Sequence, residues 1–457
     1  MNIIICGAGR VGYGIAKKLS AESNAVTIVD LLPENIQNIT TELDVRGIVG
    51  HGSHPGVLKK AGAETADMII AVTYSDEVNM IACQVAHSLF GTPTKIARVR
   101  AQDYLKESWR DLYSRENMPI DIIISPEIEI GKAILRQLNT PGAFDVVPFS
   151  NGIVQLIGIN IEEDCPIINM PIHQIGELFP GLNATIVGVS RDDQLFAPTE
   201  DDPLSVGDDV YFVVETAHAA RLLDIMGTVE EKARHVVIIG GGNIGAYVAR
   251  ELEKVTGVRV RVIEKDKRRA EKAAEMLKRT VVLNGDALNV SILEEAGVND
   301  AQTVLCLTND DKTNILAGLM AKSIGAKQVF SLINDVSFLN MKSSLDIDMI
   351  IDPRATTVSS ILRHVRKGRI LDVFAIGDGA AEVMEGEVLE TSPLAGRTLK
   401  EAGIPEGIAI GAIVRNGKFM LPSPDFVVKT RDHVILLSEK NALKHVEQLF
   451  RVSADYF

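Results

Sequence analysis

Two short stretches of this 457-residue chain carry residue types that cradle a phosphate: Gly7-Ala8-Gly9-Arg10-Val11-Gly12 and, 233 residues further on, Gly240-Gly241-Gly242-Asn243-Ile244-Gly245. Each follows an apolar β-forming run and leads into helix-prone residues, the dinucleotide-binding fingerprint. In such a loop the first glycine (Gly7, Gly240) makes the strand-to-helix turn. The second (Gly9, Gly242) lets the backbone approach a pyrophosphate, and the third (Gly12, Gly245) lets the helix pack close to the strand. The helix N-terminus then meets the phosphate charge. The fingerprint also calls for an acid at the end of the next strand to hold ribose hydroxyls: "AVTIVD" ends in Asp30, 18 residues after Gly12, and "RVRVIE" in Glu264, 19 after Gly245. Such a carboxylate repels the 2′-phosphate of NADP and selects NAD. Arg10 offers charge-assisted hydrogen bonds where Asn243 offers neutral ones, so the first loop is expected to separate ATP from ADP more sharply.

The match between the two halves continues past the glycines. Residues 50–79 correspond to 283–314, pairing Gly52 with Gly285, Ser53 with Asp286, Thr73 with Thr308, Asp76 with Asp311 and Asn79 with Asn314. Strand and helix patterns alternate through each copy, which predicts an α/β fold with two Rossmann-like doubly wound parallel sheets. Helices at 127–138 and 356–367 follow, and behind each comes a β-rich segment of about 80 residues that reads as a small α+β lobe. The expected division is a Rossmann-like domain at 1–125, a crossover at 126–144 and a lobe at 145–228. It then repeats at 233–352, 353–369 and 370–454.

Composition narrows the function. The net charge is −14, with 17 Lys+Arg against 32 Asp+Glu in residues 1–232 and 30 against 29 in residues 233–457, a balance that argues against nucleic acid as a partner. No apolar run reaches membrane-spanning length, and the N-terminus enters a strand at once, so a cytoplasmic chain without signal peptide is expected. Cys6, Cys83, Cys165 and Cys306 are widely spaced and read as buried thiols. His51 and His54 lack partner ligands at metal-binding spacing and read as loop histidines. The charged run at 264–279 reads as a solvated helix face; Arg268 and Arg269 could meet a 2′-phosphate, but Glu264 opposes one. The rival reading, an NAD-dependent oxidoreductase with duplicated Rossmann domains, requires a proton-transfer residue beside the nicotinamide, and no such pair stands out in both lobes.

The paired glycine loops, the "GHGSH" and "NGDAL" segments, the Thr73/Asp76 and Thr308/Asp311 pairs and the tandem order together resemble the RCK (KTN) family, which regulates potassium transport. The resemblance covers nearly the whole chain. It implies a non-enzymatic sensor of NAD(H) and ATP/ADP that gates an integral-membrane potassium-translocating subunit of the Trk type. Such a sensor assembles as a ring, here a homotetramer, peripherally on the cytoplasmic face of the inner membrane. It places Gly7, Ala8, Gly9, Arg10 and Val11 in the first phosphate loop, Asp30 at the ribose, Thr73 and Tyr74 in an adenine-side loop and Arg98 near the nucleotide. Gly52, Ser53 and Asp76 belong to the same first site. Gly240 through Ile244, Glu264, Gly285, Asp286 and Thr308 take the corresponding places in the second copy. Two positions depart from the repeat: Ser53 faces Asp286, and Asn243 faces Arg10. Apolar residues 78, 81, 85 and 89 form a helical stripe that fits packing on a neighbouring copy, or on its own sheet.

Overall fold

The computed structural model describes residues 1–450 other than 23, 193, 228–232, 340–344, 363 and 366–369. The expected junction at 228–233, the end of the second crossover and the close of the last lobe at 451–454 therefore lie wholly or partly outside the described residues. The first repeat runs β1 (Asn2–Cys6), α1 (Arg10–Ala21), β2 (Ala25–Asp30), α2 (Pro33–Glu42), β3 (Arg46–Val49), α3 (Pro55–Lys60), β4 (Met68–Ala71), α4 (Asp76–Phe90), β5 (Thr94–Arg98), β6 (Ile122–Ile124) and the crossover helix α5 (Pro126–Asn139). Its lobe follows as β7 (Asp145–Phe149), β8 (Val154–Asn160), α6 (Ile172–Leu178), β9 (Ala184–Arg191), β10 (Gln194–Phe196), β11 (Asp209–Glu215) and α7 (Ala219–Ile225). The second repeat comprises β12 (His235–Ile239), α8 (Asn243–Leu252), β13 (Arg259–Glu264), α9 (Lys267–Met276), β14 (Val281–Asn284), α10 (Val290–Glu295), β15 (Thr303–Cys306), α11 (Asp311–Ile324), β16 (Gln328–Leu332), α12 (Val336–Leu339), β17 (Met349–Ile351) and α13 (Pro353–Leu362). Its lobe has β18 (Ile370–Ile376), β19 (Ala381–Glu387), α14 (Leu399–Ala402), β20 (Ile408–Arg415), β21 (Lys418–Met420), β22 (His433–Glu439) and α15 (Leu443–Leu449).

These elements gather into two compact units, residues 1–132 with 233–362 and residues 133–232 with 363–457. Like pairs with like. The first unit holds both parallel sheets, ordered β3-β2-β1-β4-β5-β6 and β14-β13-β12-β15-β16-β17, which is the dinucleotide-binding strand order. The central strand β1 is covered on both faces, so Ile3, Ile4, Ile5 and Cys6 are all buried and the run is apolar without alternation. Each of those isoleucines contributes about 1.5–3 kcal/mol of burial. Each repeat sets its crossover helix on the first helix of the other, and a glycine makes the room. A Cβ on Gly14 of α1 would stand 2.9 Å from Val358 Cγ2 of α13, and one on Gly131 of α5 would stand 2.3 Å from Tyr247 Cδ1 of α8.

Helix α4 resolves the alternative left by its stripe. Ser75 caps it by accepting the Val78 N–H, and Gly91 ends it in the left-handed region at φ 64°. Met80, Ala82, Cys83 and Ala86 face the sheet, whereas Ile81 and Leu89 are 44% and 61% exposed. Val85 packs against the core of its own sheet and Val78 is half-buried, so the stripe divides, with Ile81 and Leu89 alone pointing away.

In the second unit two antiparallel sheets, β10-β9-β11-β8-β7 and β18-β19-β22-β20-β21, repeat one topology. An apolar layer including Leu156, Val187 and Val213 from the first and Val383, Ala412 and Leu437 from the second joins them. Each lobe is also tied by an arginine that chelates a buried aspartate. Arg191 Nε and Nη2 donate to Asp208 at 2.8 and 2.7 Å, and Arg415 Nε and Nη2 donate to Asp432 at the same distances. The Arg191 guanidinium, then the backbone N–H of Ser205, hold the Asp208 carboxyl below its ordinary range although burial alone would raise it. Replacing Arg415 by Ala leaves the Asp432 carboxylate, 1% exposed, without its counter-ion. A loss of about 3 kcal/mol is expected, read as faster hydrogen exchange across β20 and β22 in the full chain.

Candidate functional site

The two glycine loops share one geometry. Gly7 and Gly240 adopt φ of 111° and 107°, a region that side chains rarely enter. A Cβ on Gly12 would fall 1.8 Å from the Gly7 carbonyl oxygen, and one on Gly245 2.0 Å from that of Gly240. Helices α1 and α8 thus lie directly on the strand ends they follow. Gly9 and Gly242 have no heavy atom within 4 Å of the Cβ they lack, and both line a cavity of about 910 Å³.

The acids do more than wait for a ribose. Asp30 Oδ2 accepts the Ala8 N–H at 2.7 Å, and Oδ1 accepts from Leu32 N at 2.9 Å and Asn35 Nδ2 at 3.2 Å. Glu264 accepts from Gly241 N at 2.8 Å and Asp266 N at 2.9 Å. Each carboxylate therefore fixes the backbone of the glycine loop beside it. Beyond β4, Asn79 Oδ1 accepts from Thr73 N and Oγ1 at 2.8 and 2.7 Å while its amide donates to the Thr73 and Arg98 carbonyls. Asn314 makes the same four bonds to Thr308 and Leu332. Asp76 Oδ2 accepts from Arg100 N and Ala101 N at 2.9 and 2.8 Å, so its first role is to tie the end of β5. Asp311 does so for Asn334 and Asp335.

The cavity is bounded by both repeats. From the first come Gly7, Gly9, Arg10, Val11, Asp30, Gly52, Thr73, Tyr74 and Arg98; from the second come Gly242, Asn243 and Ile244. Behind it stand Ala8 and Gly12, and Ser53, whose Oγ meets His51 Nδ1 at 2.9 Å. The His51 ring stacks on His54 at 4.5 Å. Gly240, Gly241, Gly245, Glu264, Gly285, Asp286 and Thr308, expected at a second site, do not line this cavity. Lys265 Nζ reaches Asp286 Oδ2 at 2.7 Å, its hydrogen bond raising the lysine's proton affinity and lowering the carboxylate's.

The lining also includes polar residues that pattern alone did not single out, among them Arg100, Glu127, Asn309, Asn334 and Arg354. Sheet register makes Arg98 the counterpart of Leu332 and Arg100 the counterpart of Asn334. Glu127 likewise matches Arg354 at the start of the crossover helices. The charge of the first repeat's strand end is thus absent from the second. Arg98 Nη2 donates to the Thr73 carbonyl at 2.6 Å, and burial, then Arg100, lowers its proton affinity from the ordinary arginine value while it stays a cation. Arg98 Nε, Asp76 Oδ1, Ser125 Oγ and Glu127 Oε2 are buried and make no hydrogen bond among the described residues. Buried polar atoms of this kind call for partners. With the open approach at Gly9, donors and acceptors here fit a nucleotide's phosphates and sugar.

Models of the TrkA-N domain match residues 3–126 and 236–353, and models of the TrkA-C domain match 156–227 and 383–451. The chain belongs to the TrkA family. It is 51% identical to the Trk system potassium uptake protein TrkA of Azorhizobium caulinodans over 100% of both chains. Its identity to the protein of the same name from Halomonas elongata is 39%, again over 100% of both. Among solved structures, the GsuK channel is 19% identical and aligns over 98% of this chain and 78% of its own with a TM-score of 0.62. The GsuK channel bound to NAD aligns over the same shares with a TM-score of 0.60. That likeness is one of fold, and it agrees with the tandem parallel and antiparallel sheets of this TrkA-family chain.

The contrast between loop glycines can be measured. Gly9→Ala meets no neighbour, so it should leave the melting temperature unchanged while weakening nucleotide binding about tenfold or more by filling the phosphate approach. Gly12→Ala should instead cost about 3 kcal/mol through overpacking against the Gly7 carbonyl. Thermal unfolding and calorimetric titration of both variants separate the two roles.

Proposed function

We propose that the chain is the nucleotide-sensing regulatory subunit of a potassium-uptake system, with NAD(H) and ATP/ADP as effectors and an integral-membrane potassium-translocating subunit of the Trk type as partner. The observation that carries this reading is a cavity to which both repeats contribute. A ligand seated there touches two domains at once, and differential affinity for two arrangements of those domains is what turns binding into a signal. Arg10 Nη1 donates to the Asn334 carbonyl of the second repeat at 3.2 Å. Phosphate at the first loop competes for that guanidinium, so the nature of the phosphate chain is felt by both repeats. Asp30 and Glu127 are committed to backbone N–H groups and to Arg100 respectively, which suits recognition rather than proton transfer.

The domains at 1–125, 145–228, 233–352 and 370–454 form the four lobes of this sensor. No helix among the described residues is long and apolar enough to cross a membrane, so the ion path is assigned to the partner. The exposed Ile81 and Leu89 of α4 mark the surface on which copies assemble, as a homotetramer, peripherally on the cytoplasmic face of the inner membrane.

Calorimetric titration of the purified chain with NAD, NADH, NADP, ATP and ADP tests the sensing role. NAD should bind at least tenfold more tightly than NADP, with Asp30→Asn reducing the difference; equal affinities would refute the assignment of Asp30. Arg10→Asn should remove the preference between ATP and ADP at the first site, and an unchanged preference would refute the role of Arg10. Leu89→Glu should lower the assembly state seen by light scattering, whereas a monomer in the unsubstituted chain at micromolar concentration, with and without nucleotide, would overturn the ring. Unimpaired potassium uptake in cells deleted for the gene would overturn the function.

A further inference from the structure

The turn joining β7 to β8 is backbone-strained in an unusual way. Ser150, Asn151 and Gly152 all have positive φ, at 48°, 55° and 86°. For the two non-glycine residues this is costly, and such geometry persists only where the surroundings enforce it. The equivalent turn of the second lobe uses Gly377 and Gly379, with φ of 55° and 84°, and so carries less strain.

What enforces the first turn is a carboxylate from the other lobe. Glu385 of β19 is 4% exposed; its Oε2 accepts the Ser150 N–H at 2.7 Å and its Oε1 accepts the Ser150 hydroxyl at 2.9 Å. The same Oε1 lies 2.7 Å from His433 Nδ1 at the start of β22. Successive backbone N–H groups in left-handed conformation make a concavity suited to an anion. The arrangement is one-sided: matching β8 to β19 and β11 to β22 puts Gly158 where Glu385 stands and Asp209 where His433 stands.

We propose that Glu385, His433 and the Ser150–Gly152 turn form a pH-dependent latch between the two antiparallel lobes, closed while His433 is protonated and loosened as pH rises. The charged groups around His433 are acidic: Glu385 and Glu387 on β19 and Asp432 beside it on the chain. Asp372 of β18 lies opposite Glu385 in the strand register, and from the first lobe the uncharged Ser150 bonds to Glu385. The hydrogen bond to Glu385 raises the His433 proton affinity above its ordinary 6.5. Burial would raise that of Glu385, but the bonds from His433 and Ser150 outweigh it and hold the carboxyl below its ordinary 4.5. The signs follow. The histidine's contribution is complete below 6.5 and is lost as pH climbs through its raised value. The carboxylate's contribution is present above 4.5 and is lost only as pH falls through its lowered one.

The Ser150 amide reports the latch directly. Hydrogen exchange of the full-length protein between about pH 6 and about pH 9, corrected for intrinsic rates, should show its protection falling. Because His433 and Glu385 stay on paired strands of one lobe when the Ser150 contact opens, the fall should be at most about tenfold for each unit by which the His433 value is raised. Its midpoint should coincide with the His433 imidazole titration followed by NMR in the same unsubstituted protein. His433→Gln should make Ser150 protection independent of pH over this range, while amides of β1 and β12 are unaffected. Constant protection in the unsubstituted protein, a midpoint displaced from the imidazole titration, or the same pH dependence in His433→Gln would overturn the proposal.

Discussion

The contact on which the first unit depends is the approach of a helix to the carbonyl of the glycine that starts its turn. With 1.8 Å between the Gly7 oxygen and any Cβ at position 12, α1 can lie on the end of β1 only because that Cβ does not exist. The position of α1 then decides where its N-terminus points, and so where an anion is welcome. It also brings Gly14 against Val358, fixing one half of the contact between repeats. The same approach at Gly245 and Gly240 positions α8, whose Tyr247 receives Gly131 in return. One steric constraint, used twice, thus shapes both glycine loops and helps dock the two domains.

Duplication preserved the parts that hold backbone and varied the parts that face the cavity. Asn79 and Asn314 make equivalent sets of hydrogen bonds, and Asp76 and Asp311 tie equivalent strand ends. Both asparagines are fully buried, where an amide must satisfy all its groups and a substitution leaves several loops unheld. Lining positions carry no such obligation. There Arg10, Arg98, Arg100 and Glu127 stand against Asn243, Leu332, Asn334 and Arg354. The repeats therefore fold alike while presenting different charge to a ligand.

The second unit is built differently, by apolar layers between antiparallel sheets with few buried charges. Those charges are fully partnered where they tie a lobe to itself, as at Arg191–Asp208 and Arg415–Asp432. Glu385 is the buried carboxylate that reaches from one lobe into the other. A low-dielectric setting strengthens such a bond and makes it depend on the protonation of its neighbours.

Most of the architecture was legible in the residues. Glycine spacing, the acids Asp30 and Glu264 and apolar runs without alternation are local signals. They dictated two parallel sheets in dinucleotide-binding order, because turn geometry and strand burial act within a few residues of chain. The short strands β3 and β6 carry too few residues for a periodic signal and emerged only with the sheet. Self-similarity likewise revealed the tandem order, but it could not say that like domains pair with like, since that depends on surfaces hundreds of residues apart. The stripe on α4 was visible as a stripe, yet only the packed sheet decided that Ile81 and Leu89 face outward while Val85 packs inward. The contributions of Arg100, Glu127, Asn334 and Arg354 to one cavity, and of Glu385 to a turn 235 residues before it, had no pattern to announce them. Such contacts arise from register and docking, where a side chain's neighbours are set by the closing of the fold and not by its place in the chain.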